Sequence, residues 1–277
     1  EVFPSVPVIV FHTFDRIHIT TTHEEDNPNR TFHNLFLWSL TRNGIREVVS
    51  HYNEVRRVGE EDAVMSRVIK DLGALNLHRT PLNCVTLLKV SELDFDESPV
   101  NRTEMIKRVL FLLFNLDQIP NYKTRPDLDD CEYVLGYFCE TLIRRGRYEF
   151  ARDEFLGTTR KFCEERFIDL DVEVVFDILY INHIIVRRGD LHEFRFAYWL
   201  LYFGAHRMHQ NDAFSKHILE NMAYVNFPEI IEFYTGIDRR REDAVRVLLQ
   251  DIRSASSSVR AKCGLPDSVN PLGLAKW

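Results

Sequence analysis

Between residues 75 and 83 the chain reads LNLHRTPLN, and its proline dictates how the segments on either side must be divided. Val64, Val68, Leu72 and Leu75 precede it at helical spacing, and Val85, Leu87, Leu88 and Val90 follow it. Inside a helix, Pro81 would remove a backbone hydrogen bond and clash with the turn before it, at a cost of roughly 3 kcal/mol. In the first turn of a new helix it costs almost nothing, because that N–H has no partner anyway. Thr80 is a good N-cap, so the reading is one helix ending near Leu77 and another starting at Thr80-Pro81.

The chain opens on VPVIVFHTF (6–14) and RIHIT (16–20), which read as strands, then a polar loop at 22–31. A strand that starts at the first residues, in a chain without an initiating methionine, suggests a piece of something longer. From Ser39 the period becomes 3.6. Leu40, Ile45, Val48, Val49 and Tyr52 form one stripe of a helix capped by Ser39 or Thr41. Residues 60–75 make a second helix and Pro81 opens the third. A break at 91–99 precedes a fourth at 101–115, with Asn101 as cap and Glu104 at the capping-box position. Residues 116–130, with two prolines and no periodicity, are the linker candidate.

Three helices follow, at 130–146 (ended by Gly146), 151–167 and 171–182. Alternation with a turn at Arg188-Gly189-Asp190 then signals a hairpin. This is the order of a winged helix. Helix resumes at 197–210 and 211–251, and 254–277 reads as a tail of low order. The expected fold is mainly α: a strand remnant (1–38), a helical lid (39–115), the linker (116–130), a winged-helix domain (131–210) and C-terminal helices with the tail (211–277).

Composition excludes little. The chain has 277 residues, 45% of them hydrophobic and 28% charged, with a formal net charge of -7, which argues mildly against nucleic acid. The longest apolar run, VLFLLF (109–114), is far short of the roughly 18 residues of a membrane span. No signal-peptide pattern opens the chain. Cys84, Cys131, Cys139, Cys163 and Cys263 are too widely spaced for a CxxC pair, so the expectation is buried thiols in a reducing cytosol.

No phosphate loop, dinucleotide fingerprint, zinc-protease helix or nucleophile elbow occurs, and no catalytic residue and no metal ligand is assigned. Asp94-x-Asp96-x-Ser98 begins like a calcium loop but has Pro99 and Met105 where glycine and glutamate are required. His206 and His209 stand one turn apart without a third ligand. The aromatics from Phe194 to Phe203 read as core.

Together these stretches resemble the STAND-class (NACHT/AAA-type) signalling NTPases. LWSLTRNGIREVVSHYN (37–53) is similar to the passage from their nucleotide domain into its helical lid, and LNLHRTPLNCVTLLKVSE (75–92) to the lid's Arg-Thr-Pro-Leu segment. SPVNRTEMIKRVLFLLF (98–114) looks like the stretch that follows, and EFRFAYWLLYFGAHRM (193–208) resembles the end of the winged helix. The resemblance implies that Pro81, with Arg79 and Thr80 beside it, packs on the adenine of a bound nucleotide. It implies ATP/ADP with magnesium as the cofactor of a longer parent. The phosphate loop and the acidic metal strand would then lie upstream of Glu1, so this chain alone would hold no cofactor and would not hydrolyse ATP. The chain departs from the pattern where His12 or Thr13 stands for a sensor arginine, and where Phe196 takes the place of a histidine that touches the β-phosphate.

The implied role is regulatory: holding an upstream nucleotide domain closed with ADP, then releasing it to form a homo-oligomer in the cytoplasm, in antiviral defence. Two alternatives stay open. One is a self-contained all-α scaffold that binds protein partners. The other is a winged-helix DNA-binding regulator, which the acidic third helix (Asp171, Glu173, Asp177) opposes.

Overall fold

A computed structural model describes residues 38–75, 77–92, 99–115, 125–264 and 266. The expected strands at 6–14 and 16–20, the 22–31 loop, His12, Thr13, Asp94, Asp96 and Ser98 lie outside the described residues, as does most of the 116–130 linker. Thr41, not Ser39, caps the first helix, α1 (Arg42–Val55), its hydroxyl accepting from Gly44 N at 3.2 Å. Glu60 caps α2 (Glu61–Ala74) in the same way. The latter stops short of the expected Leu77 because Leu77 N donates back to Leu72 O at 2.9 Å, closing the end. Thr80 Oγ1 then accepts from Asn83 N at 3.2 Å and Pro81 occupies the first turn of α3 (Pro81–Ser91). These three helices bury Ile45, Val49, Met65, Val68, Leu72, Cys84, Leu87 and Leu88 against one another.

Asn101 caps α4 (Arg102–Asn115), its Oδ1 accepting from Glu104 N at 2.8 Å, while Glu104 reaches back to Val100 N at 2.7 Å. This is the capping box with its return bond displaced by one residue. Helix α5 (Leu128–Arg145) begins inside the expected linker, because Asp127 accepts from both Asp129 N and Asp130 N. It ends at Gly146, whose φ of 62° is the left-handed conformation that glycine adopts without strain. Helices α6 (Arg152–Arg166) and α7 (Val172–Ile181, capped by Asp171) follow.

Strands β1 (Ile185–Arg188) and β2 (Leu191–Phe194) pair antiparallel, Ile185 opposite Phe194 and Arg188 opposite Leu191, across the two-residue Gly189-Asp190 turn. Gly189 alone of that pair has a positive φ, 61°, which suits the first central position of a type II′ turn. Residue 150, between α5 and α6, adds a third rung: Phe150 and His192 exchange N–H···O bonds of 2.9 and 2.8 Å.

Helix α8 (Ala197–Gln210) is the hub, packed mainly on α5 and on α10 (Pro228–Ile237) and burying Trp199, Tyr202, Phe203 and Met208. α5 approaches closely at Gly136, where an added Cβ would stand 3.1 Å from Phe203 O. Helix α9 (Asp212–Glu220), a 3-10 turn at Ala223–Val225 and α11 (Asp243–Cys263) complete the described chain. The expected low-order tail is therefore corrected in its first part, where the helix runs through the serines to Cys263 and stops at Gly264 with φ 60°. No proline or glycine interrupts that stretch. Four of the five cysteines are buried and Cys263 is exposed. The described residues from Leu40 onward belong to one compact unit, mainly helical, with a single two-stranded sheet.

Candidate functional site

The Arg79-Thr80-Pro81 joint sits at the surface. Arg79 and Pro81 are exposed and Thr80 half-buried, and Arg79 O accepts from Leu40 N at 2.7 Å, tying the start of α1 to the joint. Asn83 Nδ2 donates to His78 O at 2.8 Å, so the turn is held from both sides. The result is a rigid, exposed pyrrolidine ring at the head of a helix.

Phe196 lies elsewhere in the site, at the head of α8. Half-buried, it stacks on Tyr198 with ring centroids 5.5 Å apart and 6° between planes, and the Arg195 guanidinium stands 5.3 Å above it. Its ring supplies no hydrogen-bonding atom for a phosphate, as a histidine there would. Among the described residues, no hydrogen bond, ion pair or ring contact joins Phe196 to Arg79, Thr80 or Pro81.

What connects the first helices to α8 and α10 is Arg102, at the start of α4. Its guanidinium lies over the rings of Tyr198 (5.6 Å) and Phe233 (5.2 Å) and pairs with Glu229 at 2.8 Å and Glu232 at 3.4 Å. Burial pushes the Tyr198 phenol up to about 12, with Arg102 and Arg195 pulling the other way. Beside it, Asn101 Nδ2 donates to Gly236 O at 3.0 Å. The arginine fork therefore meets two aromatic faces and two acids at once, an arrangement a lysine could not reproduce.

The seam between α5 and α8 carries two buried polar groups of residues. At one end Tyr202 donates to Glu132 Oε1 at 2.5 Å, His206 Nδ1 lies 3.6 Å from Oε2, and Lys107 approaches from α4 at 3.9 Å. Desolvation raises the Glu132 carboxyl above its usual range, against the Tyr202 hydrogen bond and Lys107. At the other end Arg207 Nε donates to Glu140 Oε2 at 2.7 Å, both side chains under 10% exposed. Arg144 adds a 2.8 Å bond to Glu140, and Asn211 Nδ2 donates to it while its Oδ1 caps α9. Buried charges of this kind specify one register of two helices rather than adding much net stability.

His206 and His209 do not form a metal pair. His206 faces Glu132, and His209 Nε2 lies 2.8 Å from Tyr234 O. Among the described residues no group of three His, Cys, Asp or Glu could hold a metal ion. His206 instead bears on how stability depends on pH. Burial, with Lys107 and His209 nearby, drives it down to about 3. The unfolded chain takes up this proton near pH 6.5 and the folded chain refuses it until about 3, so the stabilisation is complete above 6.5 and is lost as pH falls between those values. The expected slope is up to about 1.4 kcal/mol per pH unit. Denaturant titrations at pH 7, 6, 5 and 4 should show it, with the raised Glu132 opposing part of it, and His206→Gln should reduce the slope to what the lowered His192 and His209 still supply.

Residues 148–204 match the family model described as Novel STAND NTPase 4. That stretch is therefore similar to a STAND-type NTPase-associated region. The matched stretch covers Phe150, α6, α7, the hairpin and the first half of α8, Phe196 included. No curated protein and no solved structure matches the chain. Of the site residues, Arg102, Glu140 and Arg207 went unanticipated by sequence reasoning. The signal available was two acids, Glu132 and Glu140, on the stripe of α5 that is otherwise apolar.

Proposed function

We propose that the chain is the lid and winged-helix portion of a STAND-type signalling NTPase, setting the balance between a closed, ADP-holding form and an open, oligomerising one. The observation that carries this is the helix–helix–helix–hairpin order, whose second and third helices, hairpin and Phe150–His192 bridge all fall in the stretch matched by the STAND family model. Winged helices pair the segment between their first two helices with the hairpin in this way. The lid would be α1–α4, with Pro81 offering its ring to adenine, and the latch between lid and C-terminal helices would be Arg102. ATP/ADP with magnesium would be held by an upstream nucleotide domain in cis, and antiviral defence is the setting that the resemblance suggests. Phe196 removes the direct phosphate contact of relatives, leaving adenine packing and the latch as the coupling.

Groove binding to DNA is the weaker reading, because α7 offers no basic face. Val174, Val175, Ile178 and Leu179 are buried, Asp171 is used as the cap, Glu173 pairs with Arg160 at 3.1 Å and Asp177 lies 3.9 Å from Arg152.

The test is Pro81→Ala in a parent carrying the nucleotide domain. ADP release should quicken by about tenfold, as loss of one apolar stacking contact of ~1.4 kcal/mol would give, while the melting temperature of this chain shifts by only a few degrees. Thr80→Ala is the complement: it removes the cap and lowers stability by ~1 kcal/mol. Unchanged ADP release in Pro81→Ala refutes the adenine contact.

A further inference from the structure

We propose that the outer face of α11 is a docking surface for a partner amphipathic helix with an apolar stripe and an acidic flank. Of the 21 residues of α11 only Ala244 is buried. Val247 and Leu248 pack on the core and Tyr224 hydrogen-bonds Asp251, so its attachments sit in the N-terminal half. From Ile252 to Cys263 every residue is exposed or half-buried. That half is also rich in serine, a modest helix former, and a free-standing helix of this length is marginal in water.

The exposed face is nonetheless patterned. Val245, Leu249, Ile252 and Val259 are each between 43% and 52% exposed. With Ser256 and Cys263 they follow the alternating four-three spacing of a heptad seam. At about 100° per residue these positions fall within a narrow stripe, next to the core-facing side that carries Leu248. Scattered apolar residues on a surface need no explanation, but four in register on one helix mark an interaction face.

The charges along the stripe choose the occupant. Arg246, Arg253 and Arg260 recur every seven residues along its solvent side, at the position next to the seam that sets partner choice in coiled coils. Arg246 has its neighbour Glu242 at 3.6 Å, both about four-fifths exposed, a contact too wet to neutralise the row. A second copy is a poor occupant. An antiparallel pair would set the arginine row against itself, and a parallel pair would oppose it with Leu248 and Ala255, which carry no charge. A helix bearing glutamates at the matching flank would instead pair with the exposed Arg246 and Arg253.

The experiment uses the full 277-residue chain and two synthetic helical peptides of identical leucine seam, one flanked by glutamates and one by lysines. Fluorescence anisotropy at about 50 mM and 300 mM salt should show the acidic peptide binding at least about tenfold tighter than the basic one, with the gap narrowing at high salt. Leu249→Asp with Ile252→Asp should abolish binding. Arg246→Glu with Arg253→Glu should reverse the preference. All four positions are exposed, and circular dichroism confirms that the variants keep their fold. Equal binding of both peptides, or no binding of either, overturns the proposal. So does a concentration-dependent dimer that Leu249→Asp dissolves, since the second copy would then be the occupant.

Discussion

Arg207→Ala lowers the stability of this chain by about 3 kcal/mol, the lower end of the range for breaking a buried ion pair. The loss arises because Glu140 stays behind in the α5–α8 seam with its strongest partner gone. Arg144 and Asn211 keep contact with it, which is why the effect does not reach the ~5 kcal/mol seen for an orphaned charge. Packing adds to the loss, since the guanidinium lies 5.4 Å from the Tyr137 ring and 5.5 Å from Phe162. For a domain of this size the melting temperature should fall by about 6–12 °C. The double variant Glu140→Leu with Arg207→Met should lose far less than the single one, because an apolar pair of similar volume needs no desolvation. If the double variant is as unstable as Arg207→Ala, the charge argument fails and only packing remains.

Gly236→Ala is the second large effect, and it acts on the contact between α4 and α10. A Cβ on Gly236 would stand 2.1 Å from Thr103 Oγ1 and 2.9 Å from Thr103 Cβ. Thr103 is 5% exposed, and turning its unpartnered hydroxyl aside would still leave the Cβ clash, which no rotamer relieves. The helices α4 and α10 must separate, which loosens Asn101 on Gly236 O and Arg102 between Tyr198 and Phe233. Overpacking of this sort costs about 3 kcal/mol, near the upper end of its usual range. Gly73→Ala supplies the internal control. It is the same substitution in the last turn of α2, with no atom within 4 Å of the new methyl, and it should stabilise by ~0.4–1 kcal/mol through the unfolded chain. Chemical denaturation of the two variants should give opposite signs. Hydrogen exchange should quicken in α4 for Gly236→Ala alone.

Local features were legible in the sequence and distant ones were not. Thr80-Pro81, Asn101 with Glu104, Gly146 and the Gly189-Asp190 turn each act within a few residues of themselves, so a short window of sequence contains both partners. Arg102 and Glu229 are 127 residues apart, and Glu140 and Arg207 are 67 apart. Nothing in either neighbourhood names the other; only the oddity of acids on a buried stripe hinted that partners were needed. The histidine pair shows the reverse limit of proximity. His206 and His209 are neighbours on one helix, yet their ring nitrogens serve different neighbours, and spacing alone could not show that. The serines of α11 read as low order because their propensity is modest, although the apolar seam that runs past them was present all along.

The Phe150–His192 rung has a kinetic consequence. A two-stranded hairpin is barely stable by itself in water, and here its third partner comes from about forty residues upstream in the chain. Closing that loop carries an entropic cost that must be met before the contact can contribute. The hairpin should therefore complete late, after α6 and α7 have folded and brought residue 150 back to residue 192. In the native protein the same connection works in reverse: detaching the hairpin releases the one β-type tether that the described residues place on the segment entering α6. These elements should open to solvent exchange together, as one cooperative unit rather than as a flapping loop.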